Sequence, residues 1–241
     1  MRISVAVLLI CLLCACFANA AGAWAEISYE PMNWTYSFED VPLADIRVTY
    51  PHVSGLDEEV CKKINAAIKE YVVSSGGFDD TCAYAREDYT ENYAKFAETE
   101  RYGLDAAAKV TYNSDRLIAV RYDFTVHTGG AHPWDTIAAQ HYDAQTGYVA
   151  LLSELVSDWP AFQSKVAALI KHALTTAAYS EFDFDFYDVT EWPARQGLLT
   201  DEGLLVFYQE GDLGPVSAGP FELVIPYALL SEYFMDGLGL P

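Results

Sequence analysis

Side chains alternate most cleanly between Leu117 and His127. Ile118, Val120, Tyr122, Phe124 and Val126 fall on one side; Ala119, Arg121, Asp123 and Thr125 fall on the other. A strand points successive side chains to opposite faces, so this stretch predicts a half-buried strand whose second face is wet or paired. Thr128-Gly129-Gly130 then breaks the pattern. Two adjacent glycines imply that at least one needs positive φ or a close backbone approach, and Gly130→Val is the substitution expected to strain it. Pro133 holds Ala131-His132 extended before a second strand from Asp135 to Tyr142. Asp143 to Gly147 has hairpin chemistry: Asp143 caps the turn and Gly147 supplies positive φ. Tyr148 to Leu152 returns as a third strand. Upstream, Ala44 to Tyr50 and Leu104 to Tyr112 alternate in the same way, and residues 21–43 read as an extended lead-in with an early strand.

Two stretches carry helical spacing instead. Leu56, Val60, Ile64, Ala67, Ile68 and Tyr71 share one face, Asp57-Glu58-Glu59 suit the positive end of the dipole, and Gly76-Gly77 stop the helix. Later, Ser157 or Asp158 can cap a helix with Pro160 in its first turn, and an apolar stripe runs from Phe162 to Ala177. This second helix is expected to cover one face of the sheet. Residues 78–101 are rich in Tyr, Asp and Glu and read either as a helix with fraying ends or as a surface excursion. Residues 180–203 are an acidic, aromatic connection. Leu204 to Tyr208 and Phe221 to Ile225 are the last strands, and a short helix is expected from Pro226 to about Phe234. The fold class that follows is α+β, a largely antiparallel sheet with two principal helices packed against it. The expected organisation is residues 1–20 as a signal peptide, 21–43 as the lead-in, and one domain over 44–241 with parts 44–112 and 113–241.

Composition narrows the function. The 241 residues include 52% hydrophobic side chains, enough for a substantial core, and carry a formal charge of −21. Nucleic acid is excluded as a partner, because phosphate binding needs clustered Lys and Arg. The acidity serves either solubility or attraction to a cationic partner. Arg2, the apolar run Ile3 to Leu13 and Ala18-Asn19-Ala20 form an export signal with cleavage before Ala21. Leu13-Cys14-Ala15-Cys16 offers an alternative, a lipobox that would tether the chain to a membrane through Cys16. No stretch is long and apolar enough for a comfortable membrane span. The expected location is periplasmic or extracellular. Cleavage would leave Cys61 and Cys82, which export favours joining as a disulfide worth roughly 3 kcal/mol in the chain-entropy picture; two buried thiols are the alternative.

No catalytic constellation stands out. His127, His132, His141 and Asp135 lie close in sequence, but no zinc-type spacing relates them, and neither a metal nor a cofactor is expected. His132 is read as fixing the Gly-Gly loop; His132, Asp135 and His141 remain binding candidates. Asp183, Asp185 and Asp188, with Glu181 and Glu191, supply oxygens without EF-hand spacing, so a solvated or partner-binding acidic face fits them better than a calcium site. With 35 acids in the chain, carboxylate pairs of the kind glycosidases use arise by chance.

Three blocks in order carry a family resemblance. His127-Thr-Gly-Gly-Ala-His132-Pro133 is followed by Tyr142-Asp143-Ala-Gln-Thr146-Gly147 and Leu151-Leu152-Ser-Glu-Leu155. Phe207-Tyr208, Gly214-Pro215-Val-Ser-Ala218-Gly219-Pro220 and Ile225-Pro226-Tyr227 form the second block. Tyr50-Pro51 with Ser54-Gly55-Leu56 and Ile64-Asn65 is the third. Together, over about residues 44–235, they resemble the extracytoplasmic domain of RsiV-type anti-sigma factors, a domain also found ahead of some peptidoglycan deacetylases. Gly211 and Val216 stand where that pattern would place aromatic residues. The resemblance implies a noncatalytic exported binding or sensing module, since the family's module can bind lysozyme, a cationic enzyme; a cell-wall component is another ligand of this kind. It also gives Gly129, Gly130, Gly147 and Gly219 a structural role. The rival expectation is a cell-wall or metal-dependent hydrolase.

Overall fold

The computed structural model describes residues 25–75, 77–98, 102–130, 132–176, 192 and 196–241. Its frame is a six-stranded sheet in the order β1-β2-β3-β4-β5-β6, beside a three-stranded sheet β7-β8-β9. β1 (Glu26–Phe38) and β2 (Val41–Ser54) form a long antiparallel hairpin. Its two-residue turn places Glu39 and Asp40 at φ 50° and 64°, the left-handed backbone that lets a tight turn follow the strands' twist. The expected lead-in is thus largely strand, and β2 runs through residue 44 without a break.

Three helices follow: α1 (Glu58–Ser75), α2 (Phe78–Glu91) and α3 (Tyr93–Glu98). They carry the chain across to β3 (Tyr102–Asn113), which lies parallel to β2, Asp45 opposite Gly103 and Thr49 opposite Ala107. β4 (Leu117–Thr128), β5 (Trp134–Asp143) and β6 (Val149–Ala150) add on by antiparallel turns. Asp143 holds the β5–β6 turn as its pattern implies: its carboxylate accepts from the Gln145 and Thr146 amides, both at 2.8 Å. Gly147 turns at φ 78°, and a Cβ there would lie 2.9 Å from the Lys63 Cβ. Of the glycine pair, Gly129 has the positive φ, 77°. Gly130 does not, and a Cβ on it would meet only the His132 carbonyl at 3.7 Å. Gly219, at φ 74°, closes the 3-10 turn Val216–Ala218.

Even-numbered side chains of β2, β3 and β4 pack under α1. Val60, Ile64, Ile68 and Val72 meet Ile46, Val48, Leu104, Val120, Tyr122 and Phe124 in one core. α2 covers the neighbouring part of the same face, where Ala85 packs with Leu43, Ala44 and Tyr102. The Tyr- and acid-rich segment is therefore helical. Its buried Asp88 would be pushed up by burial alone, but hydrogen bonds from Lys95 Nζ (2.6 Å) and Tyr102 Oη (2.5 Å) hold its carboxyl low.

Among the described residues, the opposite face is covered at one end. β7 (Gly197–Leu199), β8 (Gly203–Tyr208) and β9 (Phe221–Pro226) stack there with α4 (Trp159–Leu174). Asp158 caps α4 by accepting the Ala161 amide at 3.1 Å, and Phe162, Val166, Ile170 and Leu174 join Leu198, Leu204, Val206 and Ile225 in a second core. α4 thus packs chiefly with the small sheet. The expected helix from Pro226 is only a 3-10 turn, Tyr227–Leu229. Beyond it the backbone is committed elsewhere: the Tyr233 carbonyl accepts from Ser157 at 2.8 Å, and the Met235 amide donates to Leu155 at 3.0 Å.

The expected Cys61–Cys82 bridge is not formed; both thiols are free. Cys61 lies in the first turn of α1 and Cys82 early in α2, beyond the other end of α1, so roughly 20 Å of helix lies between them. A disulfide requires Cα atoms within about 7 Å. No helix among the described residues is long and apolar enough to cross a membrane.

Candidate binding face

Register decides which polar groups meet. Arg47 on β2 lies opposite Asp105 on β3, Asp105 opposite Thr125 on β4, and Thr125 opposite Asp135 on β5. All point away from α1 and α2, on the end of the sheet that β7–β9 leave uncovered. Arg47 bridges Asp105 at 3.3 Å and Asp45 at 3.4 Å. His127 Nε2 approaches Asp105 at 3.5 Å. Thr125 donates to Asp135 at 2.6 Å. Between these rows lies a shallow depression of about 300 Å³ with Ala107 among its lining residues and Asn33, Thr49 and Asp123 around it.

Arg121 forms the border with the covered half. Its Nη1 and Nη2 make a two-pronged pair with Glu222 of β9 at 2.6 and 2.8 Å, and its Nε donates to Asp123 at 2.7 Å. Glu222 first, then Asp123, holds this half-buried guanidinium charged against the cost of burial. Paired forks of this kind are geometrically stringent, so Arg121 fixes where the small sheet ends and the open face begins. Asp45, Asp105, Asp123, Asp135, Glu210 and Glu222 outnumber Arg47, Lys109 and Arg121 on and around the face. It is acidic and polar.

The candidates named from sequence do not converge. Asp135 belongs to this face. His132 is exposed in the loop before β5. His141 lies six residues beyond Asp135 on the same strand, roughly 20 Å away at strand rise. It is buried beneath the small sheet, where its Nε2 accepts the Leu199 amide at 3.2 Å. Burial lowers its pKa to about 4, so it is a neutral strut between the two sheets. Asp183, Asp185 and Asp188 lie outside the described residues, and among those described no group of three or more His, Cys, Asp or Glu is placed to hold a metal ion. Arg47, Asp105, Arg121 and Glu222 were not singled out from sequence. The polar side of β4 pointed to Arg121 and to Asp123 two residues on, but the pairing of Arg121 with Glu222 depends on a second sheet and that of Arg47 with Asp105 on a parallel register, and no local pattern encodes either.

Two family models match the chain in succession. Residues 39–135 match the model described as Deacetylase PdaC, and residues 152–228 match the one described as Protein of unknown function (DUF3298). A solved DUF3298 family member from Bacteroides fragilis superposes with a TM-score of 0.60 at 18% identity, over 89% of this chain and 95% of that one. A DUF3298 family protein from Pseudomonas aeruginosa gives 0.59 at 18% identity, over 91% and 99%. No curated protein matches this sequence. The chain therefore joins a segment matching the PdaC model to one matching the DUF3298 model, in the fold of the solved DUF3298 proteins.

Proposed function

We propose that this chain is an exported, noncatalytic binding or sensing module of the RsiV-like kind, and that its partner is a cationic protein such as lysozyme or a cell-wall component. The observation that carries the reading is the open acidic face of the large sheet, set in a chain of formal charge −21. A surface of one dominant sign raises the encounter rate with the opposite sign and loses that advantage as salt shortens its reach. The arginines there are already paired with carboxylates, so the excess acid is what a partner meets.

Lysozyme immobilised for surface plasmon resonance tests this. Association is expected to slow as salt rises, and Asp45→Asn, Asp105→Asn and Asp135→Asn together are expected to slow it more than they speed dissociation. The triple variant Asp183→Asn, Asp185→Asn and Asp188→Asn asks the same of the other acidic segment. No binding at low salt, where attraction is greatest, removes lysozyme as the partner. Hydrolysis of cell-wall material by purified, metal-loaded protein would favour the hydrolase reading. Export is tested by the N-terminus of the exported chain: Ala21 is expected, and an acylated Cys16 would make the protein a lipoprotein.

A further inference from the structure

A second site lies along the outer edge of β5, away from the acidic face. β5 pairs with β4 along one edge over its whole length, but β6 pairs with its other edge only at His141 and Tyr142. After Ala150 the chain leaves the ladder: Leu151 gives its amide to Glu154 at 2.8 Å and Leu152 enters a 3-10 turn. At Ile137 the same edge is held by a side chain. Gln209 Oε1 accepts the Ile137 amide at 2.9 Å, and Gln209 Nε2 donates to the Ile137 carbonyl at 2.8 Å. This is the pair of bonds a neighbouring strand would make, supplied by a carboxamide. Alternate residues of a strand point their N–H and C=O to the same edge, so Ala139 presents both groups between Gln209 and β6.

That gap is a cleft of about 320 Å³, with Tyr71 of α1 on one wall and, on the other, Phe207 of β8 and Gln209 just beyond it. Two more carboxamides line it. Gln140 Oε1 accepts from Tyr142 Oη and Tyr122 Oη, which leaves its NH2 to donate. Gln196 Oε1 is buried and has no hydrogen-bond partner among the described residues. Among the described residues no carboxylate, lysine or arginine lines the cleft, although the chain carries 35 acids; the imidazole described there, His141, stays neutral. A charged ligand gains nothing there, whereas an amide matches it in both directions, giving N–H to Gln196 or the Ala139 carbonyl and taking N–H from Ala139 or Gln140.

We propose that this cleft binds a short, uncharged, extended peptide segment, which adds to the β5 edge at Ala139 between Gln209 and β6. Main-chain bonds supply the register and the apolar walls from Ile137, Leu152 and Phe207 take small side chains, as in other strand additions. The volume suits two or three residues.

The test is NMR titration of the full chain with acetyl-trialanine amide. The Ala139 amide resonance is expected to shift and saturate, and a peptide N-methylated at its central residue is expected to bind at least about tenfold more weakly. Ala139→Pro removes the edge donor at a position where proline is tolerated, because that N–H does not serve the β4 ladder; it should abolish the shift of neighbouring Gln140 with an unchanged unfolding midpoint. Gln196→Leu should weaken binding several-fold. If Ala139→Pro unfolds, the N-methylated peptide against the wild-type protein decides. The proposal is overturned if millimolar peptide leaves Ala139 unmoved, if N-methylation has no effect, or if N-acetylglucosamine shifts Ala139 where the peptide does not. Shifts of Ala139 that depend on protein concentration alone would also overturn it, in favour of a second copy of the chain.

Discussion

His141 makes acid stability a direct test of how the two sheets are joined. In the folded chain its pKa lies at about 4, against 6.5 for a free imidazole, because burial penalises the charged ring. Protonation would also turn Nε2 from the acceptor of the Leu199 amide into a second donor facing it. Above about pH 6.5 the ring is neutral in both states and contributes no pH dependence. As pH falls towards 4 the unfolded chain takes up a proton that the native chain refuses, so unfolding becomes easier at each step. Below the folded pKa both states are protonated and the loss stays at its full value. At about 1.4 kcal/mol per pKa unit, the depression costs about 3 kcal/mol once the window has been crossed. His141→Gln keeps an oxygen able to accept from Leu199 and removes the titration. Urea midpoints, followed by tryptophan fluorescence from neutral pH to about pH 4, should converge for wild type and variant on acidification or cross, the wild type losing about 3 kcal/mol more. The many carboxylates titrate equally in both proteins and cancel in the difference. Parallel loss of stability would show that His141 is not a buried neutral strut.

Gly197→Ala should be severely destabilising: the added Cβ would lie 2.4 Å from the Trp192 ring and 2.7 Å from Leu152, and overpacking of that kind costs about 3 kcal/mol, read as a fall in the thermal or urea midpoint. Gly129→Val should cost about 1–3 kcal/mol for a branched side chain at positive φ, while Gly130→Val should leave the urea midpoint within about 0.5 kcal/mol; the reverse order would mean that the loop conformation is wrong. In protein beginning at Ala21, Ellman's reagent should modify the half-buried Cys61 first. Cys82 should lag until urea is added, because burial, then nearby Asp79, raises its thiol pKa to about 11; a non-reducing mass lacking both thiols would instead show the bridge.

The parts legible in sequence are those whose partners lie nearby. β4, β5 and the turn at Asp143 follow from alternation and turn chemistry that a window of ten residues contains. α1 and α4 announce themselves through apolar spacing and, for α4, the cap at Asp158. β1 is harder to read because each of its faces mixes apolar and polar residues, with Glu26, Ser28 and Glu30 on the same side as Met32 and Trp34, and Pro31 interrupts it. β7 is three residues long, too short for any period. Asp88 looks like any other acid of its segment; only Lys95 and Tyr102, brought over by α3 and β3, make its burial affordable. The acidic face was half visible, as the polar side of β4, while Arg47 and Glu222 arrive from strands far along the chain. The edge cleft could not be read at all, since Gln209 acts there as an imitation of backbone.

The parallel join of β2 to β3 has a consequence for how the chain reaches this structure. On one side of it stands a hairpin, β1–β2, closed by a two-residue turn; on the other stands the meander β3–β4–β5–β6, also built from short turns. Each can form from contacts near in sequence. The join between them closes a loop that includes α1, α2 and α3, and such non-local pairing is entropically slow. It also has no slack, because a Cβ on Gly103 would stand 2.3 Å from the Asp45 carbonyl oxygen. Until that contact is made, the sheet exists as two pieces with bare edges, and the time spent in that state, more than the final stability, sets how exposed the chain is to pairing with its neighbours.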